Sequence, residues 1–142
     1  MNETLTAKAV ITIHAPASKV WEAITKAELI KQYLFGAEVT SDWKEGSPIM
    51  YKGVYQGKAY EDKGKVLKVQ PEEALLITHW SPLSGTADSP ENYHQVSYDL
   101  EAQRGGTRLT ITQDNNATKE EQEQNSLFWK TALDSIKKLL EA

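Results

Sequence analysis

The chain has 142 residues, 39% of them hydrophobic and 25% charged, which suits a single globular domain spanning residues 1–142. The net charge of −4 comes without a cluster of lysines or arginines, which argues against nucleic acid as a partner. The absence of cysteine excludes disulfides, thiolate zinc sites and a cysteine nucleophile.

The first quarter of the chain predicts a strand followed by two short helices. Residues 5–14 alternate β-branched residues with others, as strands do. Pro16 suits the first turn of a helix, and the apolar residues that follow it give a helical face up to Ala27. Apolar residues three and four positions apart predict a second helical segment over 28–34.

From residue 37 the hydrophobic pattern changes to a period of two, which predicts six further strands. Short turns rich in Gly and Pro separate most of them, so we expect successive strands to be antiparallel neighbours. Gly64 lies inside one of the longest strands and predicts a bulge that bends the sheet. The predicted strands cover residues 37–41, 48–55, 58–69, 74–80, 93–102 and 107–113.

The connection over residues 81–92, SPLSGTADSPEN, is longer than the turns between the other strands. Loops of about a dozen residues in a compact domain are often lids or binding loops. A solvated connection without a role is the alternative, and the sequence favours neither.

Residues 118–142 predict a long amphipathic helix. Thr118 and Glu121 fit a capping box at its start. Gln122 and Asn125 fall within the apolar arc, so the buried face begins polar and becomes apolar, which suits a cavity with a polar end. The arc spans roughly 140° and contains Phe128, Trp129, Ala132, Leu133, Ile136, Leu139 and Leu140.

This order of elements resembles the helix-grip fold of the START-like and birch-pollen-allergen-like proteins, the SRPBCC superfamily. Five tracts in register are similar to the family of homologues of the activator of the heat-shock protein 90 ATPase. They are IHAPASKVWEAIT at 13–25, the tract 28–34, SDWKEGSPI at 41–49, DKGKVLKVQPEEALLITHW at 62–80 and GGTRLTITQ at 105–113.

The resemblance implies an α+β domain in which a curved antiparallel sheet of about seven strands wraps around the long C-terminal helix. It also implies a hydrophobic cavity between sheet and helix, which in related proteins receives lipids, polyketides or other apolar molecules. The co-chaperone that gives the family its name has a separate N-terminal domain for engaging the chaperone. We expect 142 residues to leave no room for that domain, which weakens the transfer of the co-chaperone role.

Aromatic residues are the main candidates for a ligand site, because they combine a large apolar area with a polar tip. Alternation turns Tyr51 and Tyr98 inward and puts Leu76, Thr78 and Trp80 on one face, which we take to be the inner one. The alternative, that these side chains simply fill the core, stays open. The predicted ligand-binding residues are Tyr51, Trp80, Tyr98, Asn125, Trp129 and Leu133.

No catalytic residue, metal site or cofactor is predicted. The chain has no GxSxG, HExxH or Walker-type motif, and its histidines are not spaced as a metal pair. His79 has the parity opposite to Trp80, which predicts a surface or sheet-edge position. Glu61 and Asp62 point to opposite faces of a strand and, flanked by lysines, predict an exposed charged ribbon.

Three functions are compatible with these features. The first is binding of a small hydrophobic or amphipathic ligand in the cavity between sheet and helix. The second is a co-chaperone-like interaction protein that stimulates a chaperone ATPase through its surface. The third is an enzyme of hydrolase or cyclase type, which would require a buried titratable residue inside the cavity. Without a signal-peptide pattern or an apolar run of about 18 residues, we expect a cytoplasmic protein that does not insert into membranes.

Overall fold

A computed structural model describes residues 5–34 and 36–141. The elements appear in the predicted order, with two 3₁₀ turns, Pro82–Ser84 and Pro90–Asn92, in the long connection. The strands are β1 (Leu5–Ile13), β2 (Glu38–Thr40), β3 (Pro48–Tyr55), β4 (Lys58–Gln70), β5 (Ala74–His79), β6 (His94–Gln103) and β7 (Gly106–Asn116). The α-helices are α1 (Ala17–Thr25), α2 (Ala27–Tyr33) and α3 (Lys119–Glu141).

The strands form one seven-stranded sheet in the order β1-β7-β6-β5-β4-β3-β2, and every neighbouring pair is antiparallel. The sheet is curved, and α3 lies against it, which confirms the predicted helix-grip α+β fold. Alternate residues of the strands supply the core between sheet and helices. Its fully buried members include Ile13, Ile49, Val66, Leu75, Ile77, Leu109 and Ile111.

β4 contains a pairing irregularity, although not at the predicted residue. The register between β4 and β5 shifts between Val66 and Lys68, so the irregularity falls at Leu67 and not at Gly64. Gly64 has a different role, because a Cβ atom there would lie 1.7 Å from the carbonyl oxygen of Thr78. The missing side chain therefore allows the backbones of β4 and β5 to approach each other closely.

The helix α3 begins as the sequence predicts. The amide of Glu121 donates to Thr118 Oγ1 at 3.0 Å, and Glu121 Oε2 accepts from the amide of Ala117 at 2.9 Å. The first bond satisfies an amide that the first helical turn leaves without a partner, and the second holds the residue before the cap, Ala117, against the same turn. No helix within residues 5–34 and 36–141 is long and apolar enough to cross a membrane.

Side chains of α3 also cover the outer edge of β1. Gln122 Nε2 donates to the carbonyl oxygen of Thr6 at 2.8 Å, near the start of the helix. At the other end, Glu141 Oε2 accepts from the amide of His14 at 2.8 Å. Because an exposed strand edge invites pairing with other chains, this coverage protects β1. It also fixes the direction of α3 along this strand.

Candidate functional site

A cavity of about 460 Å³ lies between the inner face of the sheet and the N-terminal half of α3. Small-molecule sites occupy about 300–1,000 Å³, so the cavity has the size of a ligand pocket. Strands β3 to β7 form its floor, and α3 forms one wall. Leu34 and Ala37, around the end of α2, and Leu83, from the long connection, complete it.

The mouth of the cavity is apolar. Val54 at the end of β3, Leu83 in the first 3₁₀ turn and Phe128 on α3 all line the cavity and are exposed to solvent. These side chains come from three separate parts of the chain. The entrance therefore presents a hydrophobic rim to an approaching molecule.

The structure brings four of the six predicted ligand-binding residues to the cavity: Tyr51, Tyr98, Asn125 and Trp129. The rings of Tyr98 and Trp129 meet edge to face, with centroids 6.0 Å apart. This geometry is favourable for aromatic pairs and joins the floor of the cavity to its helical wall. That any of these residues binds a ligand stays a prediction.

A polar group of side chains forms where α3 meets β7. Trp129 Nε1 donates to Gln113 Oε1 at 2.7 Å, and Asn125 Nδ2 donates to Asn116 Oδ1 at 2.6 Å. Asn116 Nδ2 in turn donates to the carbonyl oxygen of Gln113 at 2.9 Å. The helix therefore begins polar on its buried face, as its sequence indicates.

The other two predicted residues lie elsewhere. Leu133 is fully buried in the core and does not line the cavity. Trp80 stacks on Tyr93 with ring centroids 6.3 Å apart, and its Nε1 donates to Thr86 Oγ1 at 3.0 Å. The expected inward position of Trp80 is wrong, because the inner face of β5 carries Ile77 and His79 instead.

His79 and Asp62 line the cavity, although the sequence predicted both at the surface. His79 Nε2 lies 2.9 Å from Asp62 Oδ2, and the two side chains are 28% and 14% exposed. A signal for Asp62 was present, because it shares its parity with Gly64 and with Val66, which is fully buried. Counting back from Val66 along β4 turns Asp62 inward.

The tyrosines around this pair are neutral hydrogen-bonding groups. Burial raises the pKa of Tyr98 well above its ordinary value. Burial also raises the pKa of Tyr51, and the proximity of Tyr98 and of the Asp62 carboxylate raises it further. Tyr51 lies directly opposite Asp62 in the β3–β4 pair, and its ring meets that of His79 edge to face at 5.6 Å.

The described part of the cavity wall carries few charged side chains. Among the lining residues that the structure describes, Asp62 is the only carboxylate, and there is no lysine or arginine. Nor do the described ranges contain a group of three His, Cys, Asp or Glu side chains that could hold a metal ion. The site therefore combines an apolar space with one acidic group bonded to one histidine.

The long connection over residues 81–92 is tied to the sheet. Lys63 of β4 forms an ion pair with Asp88, and the hydroxyl of Tyr93 donates to Asp88 Oδ1 at 2.6 Å. The hydrogen bonds from Lys63 and then Tyr93 lower the pKa of Asp88. Leu83 of this connection lines the cavity, and a role of the loop as a lid or binding loop stays a prediction.

Comparison with known proteins agrees with this architecture. The pattern of the family described as activator of Hsp90 ATPase homolog 1-like protein matches residues 14–141. The chain belongs to this family. The resemblance predicted from the sequence is therefore confirmed. A search of curated proteins finds no match.

Solved structures of similar proteins include ChR145 from Cytophaga hutchinsonii, with 48% identity, a TM-score of 0.87 and coverage of 99% of this chain and 97% of that one. The Aha1 dimer from Colwellia psychrerythraea shares the fold at 23% identity and a TM-score of 0.74, with 96% of each chain covered. DynU16, a protein of the dynemicin biosynthetic locus, matches at 20% identity and a TM-score of 0.79 over 97% of this chain and 48% of its own.

Proposed function

We propose that the protein binds a small hydrophobic or amphipathic molecule in the cavity between the sheet and α3. The observation that supports this most directly is the cavity itself, about 460 Å³ with an apolar mouth and a few polar groups inside. Membership of the family supports a ligand-binding or activator-like domain in general terms. The hydrophobic walls supply affinity, while the polar groups orient the ligand.

The energetics of such binding favour a ligand with a substantial apolar part. Removing about 200 Å² of apolar ligand surface from water contributes about 5 kcal/mol before the cost of association is subtracted. Ile77 and Val96 on the floor and Trp129 on the wall offer this apolar contact. A small polar metabolite would gain little free energy from this apolar contact.

Tryptophan fluorescence and thermal unfolding test the proposal. Trp129 lines the cavity, whereas Trp21, Trp43 and Trp80 do not, so a bound molecule should change the emission of Trp129. We expect a panel of alkyl and aromatic compounds to shift both the emission and the melting temperature. If no compound moves either quantity, the proposal is wrong.

A matched pair of variants locates the binding. Val96→Phe should fill the floor of the cavity and abolish the shifts, because Val96 is buried and lines the space. Leu127→Ala changes an α3 side chain that is 68% exposed and does not line the cavity, so it should bind as the parent does. Circular dichroism checks that both variants are folded.

The family match favours a second candidate, in which the protein binds a chaperone of the Hsp90 type and stimulates its ATPase. The exposed Leu127 on α3 is a hydrophobic residue that such a partner could cover. Titration of purified chaperone with this protein should then raise the rate of ATP hydrolysis. An unchanged rate, with no complex by sedimentation, would remove this candidate.

The enzyme alternative required a titratable residue inside the cavity, and Asp62 with His79 meets that requirement. A carboxylate that holds a histidine can orient it for proton transfer. Hydrolysis of aryl esters with apolar acyl chains, abolished in His79→Gln, would support this candidate. Equal rates for the protein and the variant would argue against it.

A further inference from the structure

The Asp62–His79 pair gives the cavity a polar contact of defined chemistry. His79 Nε2 lies 2.9 Å from one carboxylate oxygen, Oδ2. The other oxygen, Oδ1, is buried and has no hydrogen-bond partner within the described residues. A buried acceptor without a partner lowers stability, because folding has removed its water and given nothing in return.

Apart from His79, no charged side chain of the described lining pairs with the Asp62 carboxylate. Glu61 and Lys63, its neighbours along β4, have the opposite parity, and Lys63 is engaged by Asp88 outside the cavity. The described lining contains no lysine or arginine that could neutralise an anion. His79, the only lining group able to become cationic, is already bonded to Asp62.

We propose that Asp62 is the residue that selects the ligand, and that the ligand is an apolar molecule carrying an N–H or O–H donor. An amine, an amide or a hydroxyl group in the cavity would donate a hydrogen bond to the Asp62 carboxylate, whereas an anionic carboxylate would meet repulsion. Tyr51 and Tyr98 line the same cavity, and their neutral hydroxyls are able to accept or donate hydrogen bonds to a ligand. This assignment rests on the proposed function, since it concerns the same cavity.

Matched probes separate this selectivity from general hydrophobic binding. Decylamine, decanol and decanoate share one alkyl chain and differ in the head group, so their affinities report the polar contact. The affinities are measured by calorimetry below the micelle concentrations of decylamine and decanoate and below the solubility limit of decanol. Decylamine should bind at least about tenfold more tightly than decanoate, because a charge-assisted hydrogen bond replaces a repulsion. Decanol should lie between them.

Neighbouring substitutions provide the control for net charge. Asp62→Asn should reduce the preference for decylamine over decanoate by about tenfold or more. Glu61→Gln removes the same charge one residue away but on the exposed outer face, so it should leave the ranking unchanged. Val96→Phe should abolish binding of all three probes if they occupy the cavity.

The outcomes distinguish this inference from the proposed function. If the three probes bind equally, or decanoate binds most tightly, Asp62 does not select the ligand, while the cavity remains a binding site. If Asp62→Asn and Glu61→Gln change the ranking equally, the effect is one of net charge and the inference is wrong. If no probe binds, both proposals fail. Equal binding of the three probes, or tightest binding of decanoate, measured on the unmodified protein overturns the inference even if Asp62→Asn does not fold.

Discussion

The indole of Trp129 donates a hydrogen bond to Gln113 Oε1 at 2.7 Å and thereby ties α3 to β7 inside the domain. Both residues are buried, so water cannot substitute for either partner. The same tryptophan packs against Tyr98 on the sheet and lines the cavity. Trp129 therefore both fixes α3 to the sheet and forms part of the cavity wall.

Trp129→Phe should keep most of the apolar packing but leave Gln113 Oε1 without its donor. We expect the free energy of unfolding to fall by about 1–3 kcal/mol, because a buried polar atom loses its hydrogen bond to the indole. Urea denaturation of the two proteins measures this difference. Leu127→Ala, on the exposed side of the same helix, is the control and should change stability by less than about 0.5 kcal/mol. Equal stability of Trp129→Phe and the parent would contradict this account.

Gly64 is expected to be intolerant of a side chain. In Gly64→Ala the new Cβ atom would lie 1.7 Å from the carbonyl oxygen of Thr78, so β4 and β5 must move apart. Overpacking of this kind costs about 1–3 kcal/mol or more, measured as a lower melting temperature and urea midpoint.

The movement should also weaken the contact between Asp62 and His79, which are carried by the same two strands. The chemical shifts of the His79 ring, followed by nuclear magnetic resonance, report that contact. Lys65→Ala, an exposed position one residue further along β4, is the control and should leave both the stability and the ring shifts unchanged. A fully stable Gly64→Ala protein would show that the strands are not held at this distance.

Much of the fold could be predicted because its signals are repeated over long stretches. Three separate signals favour the same topology. They are the apolar arc of α3, the cap formed by Thr118 and Glu121, and the short turns between strands. Local preference and global architecture agree at these positions, so errors in single residues did not change the result.

The site was harder to predict because it depends on parity in strands whose pattern is ambiguous. In β5, Leu75, Leu76 and Ile77 are consecutive apolar residues, so alternation does not show which face is buried, and the inward position that the sequence predicts for Trp80 is wrong. The lysines that flank Asp62 in the sequence predict an exposed position for it. Its partner, His79, comes from a different strand, and a single-strand pattern cannot reveal that pairing.

The buried phenols of Tyr51 and Tyr98 should resist ionisation at alkaline pH. Their folded-state pKa values lie above the ordinary value of about 10, because burial disfavours the phenolate. The stability that they contribute is therefore complete below about pH 10 and is lost as the pH rises through the folded-state pKa. Near-ultraviolet absorbance should show their ionisation in a late step that coincides with unfolding.

Tyr51→Phe and Tyr98→Phe should each reduce the amplitude of that late step. Tyr93→Phe is the comparison, since Tyr93 lies outside the cavity and is less buried. Burial and then the hydrogen bond to Asp88 raise the Tyr93 pKa as well, so this variant should reduce the absorbance change before unfolding and leave the late step in place. If all tyrosines ionised together near pH 10 while the protein stayed folded, the interior position of the two phenols would be wrong.

The C-terminal end of α3 should detach from β1 in acid. Glu141 Oε2 accepts from the His14 amide at 2.8 Å and from Lys137 Nζ at 2.6 Å, and these bonds, the amide first, lower the Glu141 pKa. A depressed folded-state pKa means that the contribution is present above the ordinary value of about 4.3 and is lost as the pH falls below it. Hydrogen exchange at the His14 amide, corrected for its intrinsic pH dependence, should therefore lose protection below about pH 4. Glu141→Gln should show weakened protection already at neutral pH, whereas Glu123→Gln, on the exposed face of α3, should not. Protection of His14 that is equal in all three proteins would mean that Glu141 does not hold the helix to the strand.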